Sequence, residues 1–136
     1  TGVPKEPFTV GEITPLPPEP IYASDPLAKL ITLHAHHHVP DFVVVDQEGH
    51  YVGMVTGADV RTALLDREAI PLLLVAELVR TDIPTVRSAD TLDTVMDKFA
   101  RHDVASLCEV DAKGQPVALM TRRRVLQRYQ LALEES

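Results

Sequence analysis

The sequence predicts a mixed α/β (α+β) fold in which one β-α-β-β-α unit is used twice. Three observations predict it. The chain overlies itself when shifted by 65 residues, so that residues 10–64 fall on 75–129 without a gap. Each copy shows the same order of helix-start, strand and turn signals. The apolar spacing also switches between helical and extended periods at matching places. The two units are expected at residues 1–66, with a proline-rich extended lead-in, and 67–136, with a C-terminal helix.

The repeat rests on thirteen identities in 55 aligned pairs: Val10/Val75, Glu12/Glu77, Asp25/Asp90, Leu27/Leu92, Ala35/Ala100, His37/His102, Val39/Val104, Val45/Val110, Asp46/Asp111, Gly49/Gly114, Val52/Val117, Thr56/Thr121 and Val60/Val125. The number is modest, but the acids, glycines and apolar residues coincide at structural punctuation points.

Within each copy a short extended piece, Ile21-Tyr22 or Thr85-Val86, leads to Ser24-Asp25-Pro26 or Ala89-Asp90-Thr91. Those triplets signal a helix start, with Ser or Asp as the cap and Pro or Thr in the first turn. The next helix in copy two runs from Thr91 to about His102, with Leu92, Val95, Met96 and Phe99 at i, i+3, i+4 and i+7. Copy one matches with Leu27, Leu30, Ile31 and His34. Strands follow at 42–45 and 107–110, then the turns Asp46-Gln-Glu-Gly49 and Asp111-Ala-Lys-Gly114. In such turns Asp bonds its own backbone and Gly supplies positive φ. Second strands at 51–55 and 116–120 precede helices opening at Thr56 and Thr121.

Composition narrows the class. A 136-residue chain is long enough for a real core, and with no Trp, three Phe and three Tyr that core is aliphatic. A net charge of −7 argues against nucleic acid as a general partner. The single Cys108 excludes an internal disulfide and any Cys-rich zinc module. No apolar run reaches the ~20 residues that a membrane helix needs, and no signal peptide is recognisable. The chain therefore reads as soluble and cytoplasmic, and its start at Thr1 rather than Met suggests a piece of a longer protein.

The stretch His34-Ala-His-His-His38 invites a metal reading, since imidazole is the commonest metal ligand at neutral pH. A His34–His37 or His34–His38 pair would share a helix face. The copy-two counterparts are Phe99, Arg101, His102 and Asp103, so an apolar, a cationic and an acidic residue fill the same places. The stretch therefore reads as a polar helix end, with His34 covering the core where Phe99 sits. Neither a metal site nor a catalytic one is expected. His102 and Cys108 lie on different elements and form no recognisable nucleophile–base pair.

The segment Gly53-Met-Val-Thr56-Gly-Ala-Asp59 runs from strand into helix. Thr56 can donate to a ribose or phosphate oxygen, and Asp59, an acceptor-only carboxylate, can take two adjacent sugar hydroxyls. A second reading is mechanical: Thr56 caps the helix and Asp59 complements its dipole. Copy two reads Ala118-Leu-Met-Thr121-Arg-Arg-Arg124, where a guanidinium replaces the carboxylate. Because a guanidinium accepts no hydrogen bond, the two sites are not chemically equivalent.

The doubled β-α-β-β-α unit, its Asp-x-x-Gly turns and the Gly-x-x-Thr-x-x-Asp segment together resemble a pair of CBS domains, a Bateman module, over roughly residues 10–130. The resemblance implies two repeats packed about a pseudo-twofold axis with two clefts for adenosine-type ligands, and modules that pair again as homodimers. It gives Asp59 the ribose hydroxyls and Thr56 the ribose or phosphate. The adenine would be held by the lead-in to the second repeat, including Thr81, Pro84, Thr85 and Val86. The other cleft would combine Tyr22 with Thr121, and Arg124 and Ala118 depart there from the usual acid and glycine. ATP, ADP or AMP would act as a regulatory ligand rather than a required cofactor. The alternative is a dimerisation module whose clefts hold nothing. The linker Ile70–Val79 and the ending Met120–Tyr129 further resemble the cytoplasmic tail of bacterial chloride channels or transporters, which implies a membrane-embedded domain on the same parent chain.

Overall fold

The computed structural model describes residues 19–36 and 40–134. Among them the order is β1 (Ile21–Tyr22), α1 (Leu27–His36), β2 (Asp41–Val45), β3 (Tyr51–Thr56), α2 (Gly57–Ala63), two single 3₁₀ turns at Ile70–Leu72 and Val75–Glu77, α3 (Leu92–Arg101), β4 (Ser106–Val110), β5 (Pro116–Thr121) and α4 (Arg122–Glu134). The β-α-β-β-α unit is present twice, in the mixed α+β class that the periodicity indicates.

The duplication extends to strand register. In the first unit β1 runs parallel to β2, with Ile21 opposite Val44. In the second, Val86 makes a single parallel bridge to Glu109, each partner 65 positions further on. The extended piece expected at Thr85-Val86 is thus reduced to one bridge. The Lys98 ammonium donates to the Thr85 carbonyl at 2.7 Å, and Val86 alone pairs with β4. Both hairpins are antiparallel, with Asp41 opposite Thr56 and Ser106 opposite Thr121. Each slips register at the matching place, between Val44 and Val45 and between Glu109 and Val110.

The turns close as their sequences require. Gly49 and Gly114 have φ of 86° and 79°, a region that costs residues with a Cβ. The Asp46 carboxylate accepts the amides of Glu48 and His50, and Asp111 those of Lys113 and Gln115. These amides hold both carboxyls below the usual range, the one from His50 or Gln115 counting most.

The helix starts differ from the expectation in one respect. Thr91, not Asp90, caps α3, its hydroxyl accepting the Thr94 amide. Asp25 and Asp90 instead turn back to accept the amides of Tyr22 and Arg87, both three residues earlier. An Asp reaching backwards closes the approach to the helix rather than its first turn, a role that one-dimensional spacing does not separate from capping.

Strand β2 is buried along its whole length and serves two cores, as its alternating side chains allow. Phe42 and Val44 face a core with Ile21, Leu27, Leu30, Val55, Val60 and Val75. Val43 and Val45, with Met54, face the second unit, among Leu107, Cys108, Val110 and Leu119. The two sheets therefore pack through their inner faces. The Tyr51 amide donates to the Gly114 carbonyl at 2.8 Å. A Cβ on Gly49 would meet the Gln115 side chain at 3.9 Å, and one on Gly114 would meet His50 at the same distance. Such reciprocal contacts are what an approximate twofold axis between duplicated halves produces. No helix among the described residues is long and apolar enough to cross a membrane.

The histidine stretch divides. His34 is half-buried with its ring 6.0 Å from that of Phe42, consistent with covering the first core, while His36 is exposed. His37 and His38 lie outside the described residues, as does all of the proline-rich lead-in before Glu19. Among the described residues no cluster of three His, Cys, Asp or Glu could hold a metal.

Candidate functional site

Where β3 becomes α2, Gly53, Met54, Thr56 and Asp59 each have an identifiable physical role. A Cβ on Gly53 would lie 2.2 Å from the Arg80 carbonyl oxygen, so glycine is required for the linker to lie against β3. There Met54 and Arg80 exchange backbone hydrogen bonds of 3.0 and 2.8 Å. Buried Thr56 is the N-cap of α2, its hydroxyl accepting the Asp59 amide at 3.1 Å. Asp59 in turn receives Arg80 through both carboxylate oxygens, Nε to Oδ2 at 2.8 Å and Nη2 to Oδ1 at 2.9 Å. This guanidinium holds the Asp59 carboxyl below its usual range, partly opposed by burial and aided by Thr56. Arg80 is correspondingly raised, with Asp59 as the main cause.

The chain thus brings Asp59 to Arg80, the residue just before the lead-in to the second unit. Thr81 itself is exposed, Pro84 and Thr85 are half-buried, and Val86 is fully buried in the second core. Val86 is occupied there by backbone bonds to Cys108 and Val110, which makes it a wall residue.

Two participants escaped the sequence reading. Arg80 stands 21 residues from Asp59, and no pattern signals that they meet. Asp41, 4% exposed, sends Oδ1 to the Gly57 amide at 3.0 Å, while its Oδ2 has no partner among the described residues. The first amide of α2, which would otherwise be offered to an anion, is therefore already taken by a carboxylate. Its counterpart Ser106 is wholly buried and its hydroxyl is likewise unpartnered among the described residues. In the sequence Asp41 reads only as the residue before a strand.

The Thr121 corner is built differently. Thr121 caps α4, accepting the Arg124 amide at 3.2 Å. The Arg122 amide goes to the Ala105 carbonyl at 2.8 Å. The Arg122 side chain caps the end of α3, donating to the Phe99 carbonyl at 2.8 Å and lying 5.5 Å over the Phe99 ring. A cavity of ≈ 650 Å³ opens here between Pro40 of the first unit and Ala105, Thr121, Arg122 and Arg123 of the second. Its lining among the described residues does not include Tyr22, which is 42% exposed on β1. The structure thus does not join Tyr22 and Thr121 through this cavity. Cys108 is buried in the second core, and burial pushes its thiol up to about 12.

A duplicated α+β unit, with its sheets packed face to face and a Thr-capped helix opening at each strand–helix corner, defines a tandem-repeat module rather than two separate domains. The chain belongs to the CBS domain family, which matches it twice, at residues 10–66 and 75–130. Solved structures agree in fold. CBSX2 from Arabidopsis thaliana, a CBS-pair protein, has a TM-score of 0.81 at 21% identity, covering 96% of this chain and 99% of its own. A structure of CBSX2 in complex with AMP gives 0.75 at 21% identity, with 91% and 97% covered. The CBS domain pair of MJ0100, in complex with 5′-methylthioadenosine and S-adenosyl-L-methionine, gives 0.79 at 18% identity, covering 92% and 98%. The CBS domain of a CBS domain containing membrane protein from Sphaerobacter thermophilus gives 0.74 at 23%, covering 89% and 87%. No curated protein matches the chain significantly.

Proposed function

We propose that this CBS pair senses an adenosine-type ligand in the cleft between Asp59 and the lead-in to the second repeat. On this reading the module works as a homodimer on the cytoplasmic face of a chloride-channel-type transporter. The observation that carries the ligand reading is the position of the Asp59 carboxylate. It stands at the first turn of α2, beside the segment that crosses into the other repeat, so a ligand held there touches both halves. A ligand can shift a parent protein only by binding its states unequally, and a site spanning the seam offers that difference. AMP in one similar structure and adenosyl compounds in another support the ligand class. The transporter reading is supported by the likeness of residues 70–79 and 120–129 to channel tails and by a membrane protein among the similar structures.

Calorimetric titration of the purified chain with ATP, ADP, AMP and S-adenosylmethionine tests the sensing half. Binding of at least one, lost in Asp59→Ala, is expected; no heat from any of them, in the wild type and in a variant whose Asp59 is freed of Arg80 alike, removes the reading. The parent reading is checked by the reading frame upstream of Thr1, where about a dozen hydrophobic spans are expected.

A second reading, a ligand-free assembly module, is favoured by the internal satisfaction of the site. Thr56 caps, Asp41 takes the helix amide and Arg80 takes Asp59. A nucleotide-independent dimer in light scattering, together with silent titrations, would select it.

A further inference from the structure

We propose that Arg80 is a built-in occupant of the diol site, so that a ligand reaches Asp59 only by exchanging with it. The inference rests on the ligand reading of the Asp59 cleft and adds the residue that governs access to it.

The ion pair is anchored as well as formed. Its backbone bonds to Met54 fix Arg80 against β3, and the absence of a side chain on Gly53 allows that approach. From there the guanidinium fork covers both oxygens of Asp59, at 2.8 and 2.9 Å. A cis-diol binds a carboxylate by the same geometry, two parallel donors on two oxygens, so fork and diol compete for one face. The Thr56 hydroxyl beside the carboxylate already accepts the Asp59 amide at 3.1 Å. The second repeat carries Arg124 in place of Asp59, so this exchange belongs to the first cleft alone.

The pair also joins the helix that follows β3 to the strand-like linker between the repeats. Exchange would therefore release α2 from the linker while leaving the Met54–Arg80 backbone bridge in place. Arg80 is about half exposed in its side chain, and any residue other than proline keeps its backbone bonds, so side-chain variants should fold.

Titration of wild type, Arg80→Ala, Arg80→Lys and Asp59→Ala with adenosine, AMP and S-adenosylmethionine tests the exchange. Whichever probe binds should bind about two- to fivefold more tightly to Arg80→Ala, the range expected for removing a partly exposed competing ion pair. Arg80→Lys should fall between, since one ammonium cannot fill both oxygens. In the Asp59→Ala background, Arg80→Ala should change nothing. Binding seen only after Arg80→Ala would be the strongest support. Unchanged or weaker binding to Arg80→Ala, with wild-type binding intact, overturns the exchange and leaves the sensor reading standing. Silence in both wild type and Arg80→Ala removes the two together.

Discussion

The two repeats share a skeleton and differ at one corner. Strand register, the slip after Val44 and after Glu109, the Asp-x-x-Gly turns and the Thr caps coincide residue for residue. Where the second strand hands over to the helix, they part. Gly53 faces Ala118, Asp41 faces Ser106, Gly57 faces Arg122, and Asp59 faces Arg124. What has been kept is what lets the sheets pack together; what has diverged is what a ligand would meet. The first corner presents two carboxylates and one clamped guanidinium. The second presents arginines, of which Arg122 is committed to the end of α3. One duplicated fold thus carries two strand–helix corners of different charge, acidic residues at the first and arginines at the second.

The comparison is broken most severely by exchanging the residues at the glycine. In Gly53→Ala the new Cβ would meet the Arg80 backbone at 2.2 Å, and backbone cannot swing aside as a side-chain tip can. A loss of about 2–4 kcal/mol is expected, in the range of overpacking with a displaced segment. The counterpart Ala118→Gly removes one buried methyl and frees a strand residue, for about 1 kcal/mol. Urea unfolding of both variants measures the gap. Equal losses would mean that the linker does not lie on β3 in solution.

The hairpin turns sharpen the comparison from the side where the repeats agree. Gly49 and Gly114 both adopt left-handed backbone, with room around a Cβ, so Gly49→Ala and Gly114→Ala should each cost about 1–2 kcal/mol from conformation alone. Matching losses by thermal denaturation are expected. A difference above about 1 kcal/mol would show that only one turn keeps its native form.

Much of this was legible in the chain. The unit and its order follow from signals that are local: apolar spacing for α3, Asp and Gly for the turns, and the Thr before each final helix. Thr56 and Asp59 are found for the same reason, lying three residues apart. Arg80 and Asp41 were not legible, because their roles come from strand neighbours distant in sequence. The Met54–Arg80 bridge and the Asp41–Thr56 pairing create both contacts. Gly53, which the sequence shows only as the first residue of the segment ending at Asp59, is a glycine here because of the linker carbonyl. The misplaced cap at Asp90 has a local cause instead, since an Asp just before a helix can bond backwards or forwards with the same spacing.

The smallest effect concerns charge, and it separates the corners by pH. Asp59 has a folded pKa below its ordinary value of 3.8, Arg80 being the principal cause. A depressed carboxylate stabilises the folded state above its unfolded pKa, and that contribution is lost as pH falls through the folded value. Arg124, at the equivalent position, has no carboxyl to make such a contribution. Arg80 is about half exposed, so the contribution is discounted for solvent to below about 1 kcal/mol. Wild type should therefore melt slightly above Asp59→Asn at pH 6, by about 1–3 °C, and the difference should narrow as the pH falls below the ordinary carboxylate value of 3.8. Salt should also narrow it, because the pair faces solvent. A gap that persists unchanged at pH 3 would mean that Asp59 stabilises α2 by shape rather than by charge, and the opposition between the two corners would lose its electrostatic basis.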